Sequence, residues 1–295
     1  MAKISFEDRI LTKETLVSDG ATGTWLQEHG LIPGDSPELF NLSKPKLITQ
    51  MSKEYFDAGS DMVLTNTFGG NRFMLTKYNQ GGDVFGVNKA AAENAKKATA
   101  GDSSKYVIGS IGPTGEFIEP LGSVSREQMK DVFIEQIEGM KAGGVDAVLV
   151  ETMFALDEAQ VAVEAAKSLN VFVMATMTFT LGPRGFFTMT GVTPEQATKE
   201  LEATGANVVG ANCGNGIDNM IHIAEMIRKT TDLPMLIHSN AGIPGMEKGN
   251  IIYPETPEYM KSRFKKLQEV GVDIIGGCCG TTAEHIREIV KVIKN

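Results

Sequence analysis

Short apolar or β-branched runs alternate along the chain with longer stretches of helical period, the pattern of βαβ units around a parallel sheet. Eight strand candidates follow in order, at 15–21, 61–67, 106–112, 147–152, 171–179, 207–213, 235–240 and 274–279. Several hold three or more apolar residues in succession, as strands buried on both faces do. Between them Met129, Val132, Phe133, Ile137 and Met140 share one face of a 3.6-residue helix, as do Ile286, Ile289, Val290 and Ile293. Thr193-Pro194 and Thr256-Pro257 each read as an N-cap followed by proline at the first helical position, and Gly143, Gly205 and Gly271 stand where helices should stop.

Eight such units in 295 residues predict an α/β fold, a (β/α)8 TIM barrel, in a single domain spanning 1–295. The alternative, an open doubly wound sheet, would bring a glycine-rich phosphate turn, and neither G-x-G-x-x-G nor G-x-x-x-x-G-K-[ST] occurs. Two insertions, at 22–46 and 68–88, are rich in Gly, Asn and Asp and are expected to be active-site loops.

Composition narrows the partners. Hydrophobic residues make up 42% and charged residues 22%, enough apolar surface for a sizeable core. Lys+Arg 28 against Asp+Glu 37 leaves a net charge of −9 with no basic stripe, which argues against nucleic acid. The start of the chain is charged and lacks the apolar centre of a signal peptide, and no run approaches the roughly 20 apolar residues of a membrane span. The expectation is a cytoplasmic protein with no membrane partner. Three cysteines are too few and too odd in number for a disulfide framework.

A barrel of this kind places its chemistry at the carboxyl ends of its strands, and all three cysteines fall there: Cys213 after strand six, Cys278 and Cys279 after strand eight. Taken singly, each is a small buried hydrophobe, the usual fate of a free cysteine. Taken together, three thiolates with an open fourth position suit Zn2+ at the carboxyl face of the barrel. Adjacent strand residues point to opposite faces, so Cys278 and Cys279 can share one ion only if the strand has ended and Gly276, Gly277 and Gly280 let the backbone turn. Asp19 and Glu151 each crown an apolar strand at the same mouth, where an acid either supports its neighbours or binds a charged group. Two acids beside a thiolate-rich metal point to a substrate ammonium, and glycine-rich turns offer amides to a carboxylate. An amino acid bearing a thiol would satisfy all three features.

Other residues read more plainly. His222 and His285 are expected on helix surfaces, and His238 is expected to be a satisfied core histidine within strand seven. Met62, Met74 and Met189 are the methionines placed to line the mouth; Trp25 and Phe40 either wall the site or pack a loop.

In order along nearly the whole chain, Asp19-Gly-Ala-Thr-Gly-Thr, Thr65-Asn-Thr-Phe, Gly109-Ser-Ile-Gly-Pro, Glu151-Thr, Gly210-Ala-Asn-Cys-Gly, Asn240-Ala-Gly-Ile-Pro and Gly276-Gly-Cys-Cys-Gly-Thr resemble the motifs of the homocysteine S-methyltransferase family. The resemblance implies a methyltransferase barrel whose zinc is held by Cys213, Cys278 and Cys279 and receives homocysteine as the thiolate. It implies that Asp19 and Glu151 grip the substrate amino group, and that Asn240 supplies an oxygen to the fourth zinc position before substrate arrives. The stretch Gly112-Pro-Thr-Gly-Glu-Phe-Ile-Glu-Pro-Leu-Gly looks most like the cobalamin-dependent methionine synthase branch, which implies methylcobalamin on a corrinoid partner or domain as methyl donor and methionine as product. The chain carries no folate-binding barrel, cobalamin domain or activation domain, so it is expected to be a stand-alone subunit or a piece of a longer protein. The alternatives are S-methylmethionine or S-adenosylmethionine as donor, a corrinoid-linked enzyme with another thiol or methyl donor, and a non-catalytic barrel that binds metal or an amino acid.

Overall fold

The computed structural model describes residues 4–32, 34–78, 82–247 and 250–294. Eight parallel strands form one sheet: β1 (Leu16–Val17), β2 (Met62–Leu64), β3 (Tyr106–Ile111), β4 (Ala147–Met153), β5 (Val173–Met177), β6 (Val208–Asn212), β7 (Met235–Ser239) and β8 (Ile274–Gly277). Their spatial order is β1-β8-β7-β6-β5-β4-β3-β2, so the last strand returns to the first. All eight predicted strands are present. Most are shorter than predicted, because the residues at the mouth leave the ladder to build the site.

Outside them lie α1 (Pro45–Asp57), α2 (Val84–Ala98), α3 (Arg126–Ala142), α4 (Leu156–Ser168), α5 (Pro194–Thr204), α6 (Ile217–Arg228), α7 (Pro257–Val270) and α8 (Ala283–Ile293). Thr193 and Thr256 cap α5 and α7 as predicted, accepting from the Gln196 and Tyr259 N–H groups. The helix α3 stops at Gly143 as predicted, with Gly143 a right-handed C-cap and the following Gly144 taking the left-handed φ of 88°.

Period-two alternation along the strands separates two cores. Leu16, Met62, Leu64, Tyr106, Ile108, Ala147, Leu149, Met174, Val208, Leu236 and Ile274 fill the barrel, while their neighbours Val17, Val63, Val107, Val148, Val209, Ile237 and Ile275 pack against the helices. The helix Phe6–Leu11 closes the floor, with the Phe6 ring edge-on to Tyr106 at 5.2 Å and to Phe172 at 5.7 Å.

Side chains complete the barrel between β1 and β2. The Asp61 N–H donates to the Val17 carbonyl and the Asp61 carboxylate accepts from the Val17 N–H, both at 2.8 Å. Two residues beyond Val17, nearer the mouth, the Asp19 carboxylate accepts from the Leu64 N–H at 2.7 Å. Both acids stand where a backbone ladder would otherwise run. Among the described residues no helix is long and apolar enough to cross a membrane.

Candidate active site

A cavity of about 250 Å³ opens at the carboxyl ends of the strands. Cys213, Cys278, Cys279 and Glu151 line it together with Ser110, Thr152 and residues 20–24, where the chain enters the short helix Thr22–Glu28. The insertions contribute Pro37, Glu38 and Phe68, as expected of active-site loops, although both are largely helical; residues 33 and 79–81 within them lie outside the described residues.

The thiols converge. All three Sγ atoms lie within 4.8 Å of one another, and those of Cys213 and Cys279 are 4.0 Å apart. Two backbone departures make this possible. Cys213 adopts a φ of 60°, which turns its side chain off the end of β6. β8 ends at Gly277, so Cys278 and Cys279 sit in a turn closed by the Thr281 N–H on the Cys278 carbonyl, with Gly280 at a φ of 79°. The strand has ended before the cysteine pair, as a shared ion requires.

The donor set fits a soft divalent cation. Hydrogen bonds from the Cys278 and Cys279 thiols, then from the Gly214 N–H and Asn240, hold the Cys213 thiol far below its ordinary range, while Cys278 is pushed up by its contacts with Cys213 and Cys279 and by burial. Asn240 is buried beside Cys213, and its Oδ1 has no hydrogen-bond partner among the described residues.

Glu151 reaches the same cavity by strand alternation, following Ala147 and Leu149 inward, and a bulge brings the next residue beside it. Alternation would send Thr152 outward and Met153 inward, but the register shifts between Val150 and Met153, and Thr152 takes a φ of 58°. Glu151 and Thr152 consequently both line the cavity, and Met153 packs outside. The Glu151 carboxylate accepts from Ser110 Oγ at 2.5 Å and from Asn212 Nδ2 at 3.1 Å. Burial pushes its carboxyl up to about 7; the Ser110 hydrogen bond opposes that and the nearby charges of Asp19 and Cys213 add to it.

Asp19 is placed differently. It is buried and its carboxyl is also pushed to about 7 by burial, but its oxygens are occupied by the Leu64 N–H and by Ser18 Oγ at 3.1 Å, and it stands behind the residues lining the cavity. Its charge acts on the site through Glu151.

Several expectations are corrected. His285 is buried, with Nε2 3.0 Å from the Glu255 carbonyl, because it caps the inward start of α8. His238 is inside the barrel, where burial holds its imidazole down to about 3, but its Nε2 has no hydrogen-bond partner among the described residues. Of the two roles open to Trp25 and Phe40, packing is the one they take: both lie in the outer core, with Trp25 donating to Glu54 at 2.9 Å. Met62 lies in the barrel interior, and Met74 and Met189 stand outside the cavity lining. Phe68 is the aromatic wall instead, its ring lying over Gly112.

Sequence reasoning also passed over Glu38, whose carboxylate accepts from the Gly69 N–H and Ser36 Oγ, each at 2.7 Å, and so ties the first insertion to the second. Its one signal was an acid in the otherwise apolar stretch 37–40. Asn212 stood in a motif with no role attached.

The family model for homocysteine S-methyltransferase matches residues 16–293. The chain belongs to the homocysteine S-methyltransferase family. Its catalytic class is that of a methyltransferase. Methionine synthase of Mycobacterium leprae (strain TN) is 31% identical over 302 aligned positions, covering 96% of this chain and 24% of the relative. Methionine synthase of Mycobacterium tuberculosis (strain ATCC 25618 / H37Rv) is 30% identical, covering 97% of this chain and 25% of its own length. The chain thus spans about a quarter of the length of these relatives. The barrel superposes on the homocysteine methyltransferase MmuM from Escherichia coli in its oxidized form with a TM-score of 0.79, at 21% identity over 97% of this chain and 99% of that one. The metallated form of the same enzyme gives 0.77. At that identity the likeness concerns the fold.

Proposed function

We propose that this member of the homocysteine S-methyltransferase family is a zinc-dependent enzyme that methylates the homocysteine thiol to give methionine, with methylcobalamin on a corrinoid partner or domain as donor. One observation carries this reading: three converging thiols and a buried carboxylate face a single cavity of amino-acid size. Cys213, Cys278 and Cys279 would hold the metal, with Asn240 Oδ1, buried beside Cys213 and without a hydrogen-bond partner among the described residues, as the candidate fourth ligand. Bound there, zinc would supply the positive charge that keeps a substrate sulfur deprotonated near neutral pH.

The chain's own residues do the rest. Glu151, ionised, pairs with the substrate ammonium, and residues 20–24 offer backbone amides to its carboxylate. Asp19 braces β2 and keeps negative charge behind Glu151. The sulfur forms its bond to the methyl carbon as the donor leaves with the electron pair of the old bond, and the thiol proton passes to solvent. Positioning at near-attack distance, about 3–3.5 Å, is the main contribution of the mouth. The −9 charge and the closed apolar barrel fit a small-molecule acceptor held in one end of the fold.

Zinc-loaded protein mixed with homocysteine and free methylcobalamin should bleach the methylcobalamin spectrum, and Cys279→Ser should lose both zinc and that reaction. Methionine formed from S-methylmethionine with methylcobalamin untouched would transfer the chain to a sulfonium donor. Zinc-loaded protein that binds homocysteine but turns over no donor would support the binding-barrel alternative.

A further inference from the structure

Asn212 is fully buried at the end of β6, one residue before Cys213, and its side-chain hydrogen bonds all run to β4 and β5. Oδ1 accepts from the Thr152 N–H at 2.7 Å and from Thr176 Oγ1 at 2.8 Å. Nδ2 donates to Thr152 Oγ1 at 2.7 Å and to Glu151 Oε2 at 3.1 Å. The primary amide is thereby used to full capacity, two bonds accepted and two donated. Thr152 is β-branched and sits at a φ of 58°, a backbone region such residues rarely adopt. Two of the four bonds grip that residue, one at its main chain and one at its side chain.

We propose that Asn212 is the positioning residue for the substrate ammonium: it orients the Glu151 carboxylate directly, and it clamps Thr152 in the left-handed conformation, which fixes the bulge that follows Glu151 and so holds Glu151 in place at the end of β4. The inference rests on the homocysteine reading given above. Ser110 holds one carboxylate oxygen and Asn212 the other, so Glu151 has a single orientation. Because the next residue along β6 is Cys213, a single peptide link joins the residue that aims the ammonium partner to a thiol of the metal cluster. The distance between the sulfur and amino ends of the substrate is thus set by one rigid strand end rather than by two independent loops.

The test compares wild-type zinc-loaded protein with Asn212→Ala, Asn212→Asp and the double variant Asn212→Ala/Thr152→Gly. Zinc content, homocysteine affinity by calorimetry, and amide hydrogen exchange over 151–153 are measured on each. Asn212→Ala should weaken homocysteine roughly tenfold or more, with zinc content unchanged and exchange at 151–153 faster. Glycine adopts a φ near 58° unaided, so Thr152→Gly should recover part of the affinity lost in Asn212→Ala. Asn212→Asp keeps the accepting half of the clamp but places an oxygen against Glu151, so exchange should stay as in the wild type while affinity falls. It also answers the question if Asn212→Ala does not fold.

Wild-type affinity in Asn212→Ala or Asn212→Asp would overturn the proposal. So would loss of zinc in step with affinity, since Asn212 would then act through Cys213, or a double variant no better than Asn212→Ala. Failure of the homocysteine reading looks different: the wild-type protein itself would not bind homocysteine, while exchange at 151–153 would still show whether Asn212 holds the bulge.

Discussion

Glu151 shows how burial converts an ordinary acid into a pH-sensitive one. Its carboxyl, at 4.5 in its ordinary state, is pushed to about 7 because the charged form loses water in the mouth. A folded value raised above the unfolded one means that the folded state binds the proton more tightly. The stability this confers is present at low pH and is lost as pH rises from about 4.5 through about 7. For metal-free protein, Glu151→Gln should therefore abolish about 3 kcal/mol of the stability lost between pH 5 and pH 8, read from urea unfolding at a series of pH values; Asp19, raised for the same reason, leaves a residual slope. A variant with the wild-type slope would show that Glu151 is ionised throughout. At this scale the three cysteines were legible because their number and placement were unusual. Asn212 was not, because its meaning lies in contacts with Thr152 and Glu151, about 60 residues earlier in the chain.

Elements are joined by a device that recurs around the barrel. Gly59-Ser-Asp61, Gly144-Val-Asp146, Gly205-Ala-Asn207 and Gly271-Val-Asp273 each place a left-handed glycine two residues before a short polar side chain at the start of an even-numbered strand. That side chain accepts from a backbone N–H of the preceding odd-numbered strand: Val17, Val107 and Met235 at 2.8 Å and Val173 at 3.0 Å. The four pairs make the barrel a fourfold repeat of two-strand units. Asn207→Ala leaves the Val173 N–H without this partner and should destabilise by about 1–3 kcal/mol, whereas Asn207→Asp keeps an acceptor and should cost less; chemical denaturation of both variants checks the order. The strands and their helices were legible from period and punctuation. This repeat was not, since insertions of unequal length separate its copies.

For the molecule as a whole, the floor and the mouth are separate. Phe6 is buried against Tyr106 and Phe172 under the barrel, and the cavity lies at the opposite ends of the strands. Stability at the floor should therefore be separable from chemistry at the mouth. Phe6→Ala removes a buried ring and should cost about 3–5 kcal/mol, seen as a lower melting temperature, while zinc content and homocysteine affinity at 25 °C stay at wild-type values. A loss of zinc in a variant that is still folded would mean that the two ends are coupled through the barrel interior.

The amino-acid sequence alone determined the eight βα units, the barrel they form, and the convergence of Cys213, Cys278 and Cys279 at one end, because hydrophobic period and residue type are local properties of the chain. It also determined the family, through motifs that recur in order over nearly the whole length. Only the tertiary structure decided that Asp19 braces the seam between β1 and β2 while Glu151 faces the cavity, that a bulge brings Thr152 inward, and that Asn212 ties both to the cysteine cluster. Those assignments depend on which backbone groups a closed sheet leaves unpaired and which strands become neighbours. That is settled when the barrel closes and the polar groups at its rim must find partners within reach.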